Sequence, residues 1–260
     1  MTVTLRHWEP NGFSLKPLIV LYEKEIAFES RYEDWTALER APQFADELEV
    51  AYNLEREGPV LIHEGRPITD SLFMMQFLDD AYPGASLMPG CAEALWDLLT
   101  WGRLAGEILA PSVASLGCKA FLSPALATSG KRDATRRAIE AMANFERRNG
   151  WLAALDDGYG EAECADSRRK IRLVIQKLEE RLANQPYLLG DAFSLADIEL
   201  FALARSIPLL DVFEPGDFPR VQAWLARIEA RPSVAKALAH SRTGAPEKAF
   251  TPGPEHSRWG

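Results

Sequence analysis

Val3, Leu5 and His7 alternate with Thr4 and Arg6, and a period of two over five residues predicts a strand. A turn signal, Pro10-Asn11-Gly12, follows it. Over residues 14–24 the period lengthens: Leu15, Leu18, Ile19 and Tyr22 recur at helical spacing. Ser14 stands where it would cap that helix, and Pro17 belongs in its first turn. A second strand is expected over residues 28–32 and a helix within the acidic stretch 33–53, around residues 43–51. Pro59-Val60-Leu61-Ile62-His63 is the clearest strand, and Glu64-Gly65 turns it into an antiparallel partner over residues 66–69. Leu72, Met75, Phe77 and Leu78 then mark an amphipathic helix from Ser71 to Tyr82, ended by Pro83-Gly84.

From Cys91 onward strand alternation does not return. Helical spacing predicts segments over residues 92–121, 132–148, 167–183, 194–206, 219–230 and 233–241. This change of period divides the chain into a mixed α/β domain (1–84), a linker (85–90), an all-helical domain (91–242) and a loose tail (243–260) rich in proline.

Composition narrows the function classes. The 260 residues are 47% hydrophobic and 26% charged, ordinary for a globular chain. The net charge of -9 repels phosphate backbones and anionic lipid, so neither nucleic acid nor a membrane surface is expected as a partner. No apolar run approaches the roughly 20 residues of a membrane span and the N-terminus lacks a signal-like apolar core, so a cytoplasmic protein is expected. Cys91, Cys118 and Cys164 are odd in number and form no CxxC pair; they read as reduced packing residues, with no metal site.

Three local features carry candidate chemistry. Gly58-Pro59 opens a strand, where proline belongs for lack of an N–H; a cis bond there would offer backbone groups to a peptide-like ligand by strand addition. Asp70-Ser71 reads as a helix cap, yet the same geometry binds the carboxylate and ammonium of an amino-acid head group. Ser194-Leu195-Ala196-Asp197 is a capping box, a folding signal.

In this order and spacing, the Pro59 strand, the Asp70-Ser71 pair and the SLAD box resemble the soluble glutathione transferase family up to about residue 240. NGFSLKPLIVLYEK at 11–24, HEGRPITDS at 63–71 and RRKIRLVIQKLEERLANQPYLLGDAFSLADI at 168–198 look like the bacterial β-etherases of that family, as does the spacer 149–166. The resemblance implies a thioredoxin-like domain joined to a helical domain, and glutathione as cosubstrate for cleaving β-aryl ethers of lignin-derived aromatic ketones. Its alternatives are a general glutathione transferase, a disulfide reductase, or a weakly active subunit of a heterodimeric etherase. A homodimer or heterodimer is implied, with helices from about Cys91 to Arg148 facing the partner.

Carried onto this chain, the resemblance makes glutathione's own sulfur the nucleophile, with Ser14 or Asn11 donating to the thiolate. Gly58 and Pro59 would meet the cysteinyl unit, and Asp70 with Ser71 the γ-glutamyl end. The glycine carboxylate would fall to Lys16, Arg40, Gln43 or Arg56. Trp8, Phe13, Trp101, Phe121 and Trp151 supply the rings for an aromatic substrate pocket. Three departures from the family stand out: Gly58 in place of a common valine, Phe13 in place of a polar residue and Leu54 in place of a frequent proline.

Overall fold

The computed structural model describes residues 2–36, 58–142, 145–214 and 216–252. The helix expected around 43–51 lies outside them, as do Arg40, Gln43, Leu54 and Arg56.

Four strands form one sheet in the order β2-β1-β3-β4. They are β1 (Val3–His7), β2 (Glu29–Tyr32), β3 (Val60–His63) and β4 (Arg66–Ile68). β1 lies parallel to β2 and antiparallel to β3, with Leu5 opposite both Ser30 and Leu61. Because β1 is an inner strand, Arg6 is buried along with Leu5 and His7, and the expected alternation of burial is lost. Pro67 sits on β4, at the sheet's edge, where a missing N–H costs least. The β3–β4 turn has Glu64 at φ 51° and Gly65 at φ 81°, the left-handed pair that a tight hairpin requires.

Helix α1 (Gly12–Glu23) begins two residues before Ser14. Asn11 is its N-cap, so Ser14 is inside the helix and not its cap. Pro17 likewise lies beyond the first turn, where it has no N–H to give the Phe13 carbonyl. The next helix, Ser71–Ala81, is capped by Asp70, whose Oδ1 accepts from the N–H groups of Leu72 (2.9 Å) and Phe73 (3.2 Å). Asp79 of this helix accepts from Lys24, Ser86 and the N–H groups of Leu87 and Met88, tying the connecting segment to the sheet domain. The Leu87 carbonyl then accepts from Leu195 of the helical half.

Among the described residues, everything after Ser71 that is regular is helical. Residues 92–128 form one continuous path in which two π-helical segments, Ala105–Leu109 and Cys118–Leu122, interrupt the α-helix. Contrary to expectation, this path is long and apolar enough by composition to cross a membrane; 61% of its most apolar window, however, is buried inside the protein, as in a core helix. The expected single segment 132–148 is two helices, Arg132–Glu140 and Phe145–Asp156. The expected spacer 149–166 is largely helical, because Phe145–Asp156 runs into it and Glu161–Arg181 starts six residues before Ser167.

At the centre lies Leu195–Ala204, entirely buried, its two carboxylates Asp197 and Glu199 included. Asp197 anchors its start: one oxygen accepts from the N–H of Ser194 (3.0 Å), the other from the N–H of Leu188 and the Trp224 indole (both 2.9 Å). The capping box is therefore structural, as expected. Helices Pro219–Glu229 and Pro232–Leu238 follow, and the latter packs back on α1. The expected loose tail is instead packed through residue 252: Phe250 is 8% exposed and belongs to the main core.

Candidate active site

The loop leaving β1 carries Trp8, Glu9, Pro10 and Asn11 to the start of α1. The Asn11 N–H donates to the Glu9 carbonyl at 2.7 Å, and Gly12 adopts the left-handed φ of +48° that its lack of a side chain permits. This tight turn faces a cleft holding about 850 Å³ of space, its open mouth included. One wall is sheet-domain chain: Trp8, Asn11, Gly12, Phe13, Trp35 and Gly58. Helical-domain residues form the opposite side, with Ala110, Val113 and Ala114 on one helix, Arg147 and Trp151 on another, and Ala202, Leu203 and Ser206 at the end of the central helix. Residues 249–252 close the rim.

Aromatic rings stand on both sides of the cleft: Trp8, Phe13 and Trp35 on one, Trp151 on the other. Trp8 stacks on Trp35 with centroids 5.8 Å apart, and Trp35 explains Gly58. A Cβ built on Gly58 would come within 2.3 Å of the Trp35 ring, far inside contact distance. The valine common at this position is thus excluded by an indole that the sequence places 23 residues earlier. The Gly58-Pro59 bond is cis, directly before β3.

The residues predicted for the site divide into two groups. Trp8, Asn11, Phe13, Gly58 and Trp151 share the cleft. Ser14, Lys16, Pro59, Asp70, Ser71, Trp101 and Phe121 stand outside its lining. Ser14 is 1% exposed and its hydroxyl accepts from the Trp8 N–H at 3.2 Å, fastening the helix to the end of β1. Lys16 is equally buried; its ammonium donates to Glu199 at 2.5 Å, which leaves it unsuited to a ligand carboxylate. Trp101 packs against the core, and Phe121 lies one layer behind the cleft, stacked on Phe250 at 6.0 Å. Trp35, Arg147, Ser206 and residues 249–252 are cleft residues that sequence reasoning missed, since no local pattern brings such distant segments together.

A polar chain runs from the buried His7 through the exposed Ser30 to the half-buried His240 and Tyr22. His7 meets the Trp8 carbonyl at 2.6 Å and the Ser30 hydroxyl at 2.8 Å; Ser30 meets His240 at 3.1 Å, and His240 meets the Tyr22 hydroxyl at 2.6 Å. Burial pulls the His7 pKa down to about 4, so its ring is neutral at pH 7. Glu9 is fully buried. Burial alone would push its carboxyl up, but hydrogen bonds from Ser241, Tyr32, Arg242 and Thr243 outweigh it and hold the pKa below its ordinary value. Among the described residues no cluster of His, Cys, Asp or Glu could hold a metal ion, and Cys91 is exposed whereas Cys118 and Cys164 are buried.

The chain is similar to characterised proteins along most of its length. Protein LigF of Sphingobium sp. is 29% identical over 255 residues, 93% of this chain and 95% of LigF. The crystal structure of LigF, described as a beta-etherase, superposes with a TM-score of 0.79 at 27% identity and covers 93% of this chain and all of that one. Glutathione S-transferase U19 of Arabidopsis thaliana is 25% identical, covering 91% of this chain and 89% of that one. Residues 1–80 match the glutathione S-transferase N-terminal domain and residues 118–232 its C-terminal domain. With both halves of the family's architecture matched in order, the chain belongs to the glutathione S-transferase family.

Proposed function

We propose that this protein uses glutathione to cleave β-aryl ether bonds of lignin-derived aromatic ketones. The observation that carries the reading is the similarity to LigF along nearly the whole chain, 93% of it at 29% identity. The cleft supports it. Ring-bearing walls suit two aromatic groups, and Asn11 sits among them at the head of α1. In the reaction the glutathione thiolate attacks the carbon that bears the aryloxy group, polarised by the neighbouring ketone. A C–S bond forms, the C–O bond breaks, and its electron pair leaves on the phenolate, which takes a proton from water.

Asn11 is the residue we assign to the sulfur. Its amide has one N–H left to donate once its other partner is satisfied, and donors held in place before the reaction are the ones that stabilise an anion. Ser14 serves instead to fix α1. Gly58 and Pro59 meet the cysteinyl unit by backbone pairing, and Asp70 with Ser71 receives the γ-glutamyl end. Lys16 has no part in this reading.

The test is a glutathione-dependent assay with each enantiomer of a β-aryloxy ketone, following phenol release by mass. Release of phenol with equal consumption of glutathione is the expected result. Conjugation of a chloronitrobenzene or reduction of a disulfide without phenol release would instead assign a general transferase or reductase.

The reading extends to a dimer in a reducing, cytoplasmic setting. Phe73 (59% exposed), Trp96 (66%) and Leu99 (47%) are among the large apolar side chains most open to solvent. They lie on Ser71–Ala81 and Ala92–Leu104, helices that adjoin where Leu72 meets Gly102. Covering them with a second copy removes an apolar patch from water. Sedimentation is expected to find a dimer for the wild type and a monomer for Trp96→Glu.

A further inference from the structure

Asn11 occupies an N-cap, a position favoured by asparagine because its side-chain oxygen accepts from a first-turn N–H. Here the side chain makes no such bond. Its Oδ1 accepts from the Ser206 hydroxyl at 2.9 Å, and its Nδ2 donates to the Ala249 carbonyl at 3.0 Å. A backbone carbonyl only accepts, so Ala249 dictates which end of the amide carries nitrogen, and Ser206 completes the match from the other end. Ser206 is 1% exposed, at the end of the central helix.

The Ala249 carbonyl is itself held in place. Residues 241–243 converge on Glu9, whose carboxylate accepts from the Ser241 hydroxyl (2.6 Å), the Arg242 N–H (2.8 Å), and the Thr243 N–H (3.2 Å) and hydroxyl (2.9 Å). The Tyr32 hydroxyl donates to it from the sheet side at 2.7 Å. Glu9 and Asn11 share one turn, so the anchor of the C-terminal segment and the residue that this segment orients are two positions apart.

We infer that Ser206 and the C-terminal segment form a clamp that sets the orientation of the Asn11 amide, making Ser206 a positioning residue for the thiolate. The inference rests on Asn11 facing the glutathione sulfur. One amide hydrogen is spent on Ala249, and the clamp directs the second. Without the clamp the amide is free to rotate or to fall back on capping α1, and the sulfur loses a preorganised donor.

The experiment is a pH titration of glutathione bound to the full-length protein, read by thiolate ultraviolet absorbance, in the wild type, Ser206→Ala, Asn11→Ala and the double variant. Ser206→Ala is expected to raise the bound thiol's pKa by about one pH unit, roughly a tenfold loss of thiolate at pH values below the wild-type pKa, with the KM for glutathione nearly unchanged. Ser206→Thr, which keeps the hydroxyl, restores most of it. On the Asn11→Ala background the Ser206→Ala change adds nothing, because the group it positions is gone. Wild-type ionisation in Ser206→Ala, or a shift that survives in the double variant, overturns the inference. Should Ser206→Ala fail to fold, Ser241→Ala with Thr243→Ala loosens the same clamp from the other side; an unchanged thiol pKa there is equally fatal. No ether enters this titration, so a clamp confirmed without phenol release would remove the etherase reading and leave the inference. Failure to bind glutathione would remove both.

Discussion

Lys16 illustrates how a residue's type and its role separate. Beside a substrate-binding loop a lysine reads as a partner for a carboxylate, but here a buried one already exists: Glu199, 183 positions away in sequence, at 2.5 Å. Burial pushes the Glu199 carboxyl up, with Lys16 opposing it, and its Oε2 has no hydrogen-bond partner among the described residues. Such a pair adds little over apolar packing, yet breaking it strands a charge. Lys16→Met is therefore expected to lower stability by about 3–5 kcal/mol in denaturant unfolding, and Lys16→Met with Glu199→Leu to recover most of that loss. Gly58 makes the converse point. Its departure from valine reads as a loosened backbone, but the Trp35 ring occupies the space a side chain would need.

At the scale of elements, periodicity located nearly every described helix and strand, and misjudged where several of them begin or end. α1 starts at Gly12 and not Ser14, because Asn11 provides the extended N-cap backbone and glycine the left-handed residue after it. The helix at Glu161 begins early, and the packed chain does not end at Arg242. In the last case the cause is tertiary: Phe250 lies against Gly117, where a Cβ would approach the ring to 2.4 Å. Only a glycine lets the C-terminal segment down onto the helical domain. Gly117→Ala is accordingly expected to push Phe250 off its seat on Phe121 and open the cleft rim. Steady-state kinetics should show a severalfold rise in the KM for the proposed β-aryl ether substrate and little change in that for glutathione. Equal effects on both would mean that Phe250 is not a wall of the aromatic site.

Across the whole molecule, the two domains and the C-terminal segment meet at the polar chain from His7 to Tyr22 and at the buried Glu9. Protonation works against both. His7 is held down to about 4 by burial, against an ordinary 6.5, so between those values the unfolded chain binds a proton that the folded protein refuses. His240 is lowered by burial as well. Stability must then fall as pH drops from about 6.5 towards 4. Glu9, with a lowered pKa, contributes stability above the ordinary carboxylate range and loses it only as pH falls through its own folded value, extending the decline to more acidic conditions. Unfolding free energies measured by denaturant from pH 7.5 to 4 are expected to show this slope, and His7→Gln to flatten its upper part.

The sequence by itself determined the order of the elements, the division into a mixed and a helical half, the cap at Asp70 and the box at Ser194. Each is written in residues within a few positions of one another, where backbone geometry converts spacing directly into structure. The family resemblance offered Ser14 and Asn11 as candidate donors to a thiolate, residues three positions apart whose facing no local pattern sets. What the tertiary structure decided is that facing: Ser14 turned to the Trp8 N–H, Asn11 lining the cleft between Ser206 and Ala249, Lys16 paired with Glu199. These contacts join residues as many as 238 positions apart, and the choice among them depends on which surfaces packing brings together, a quantity that no local pattern encodes.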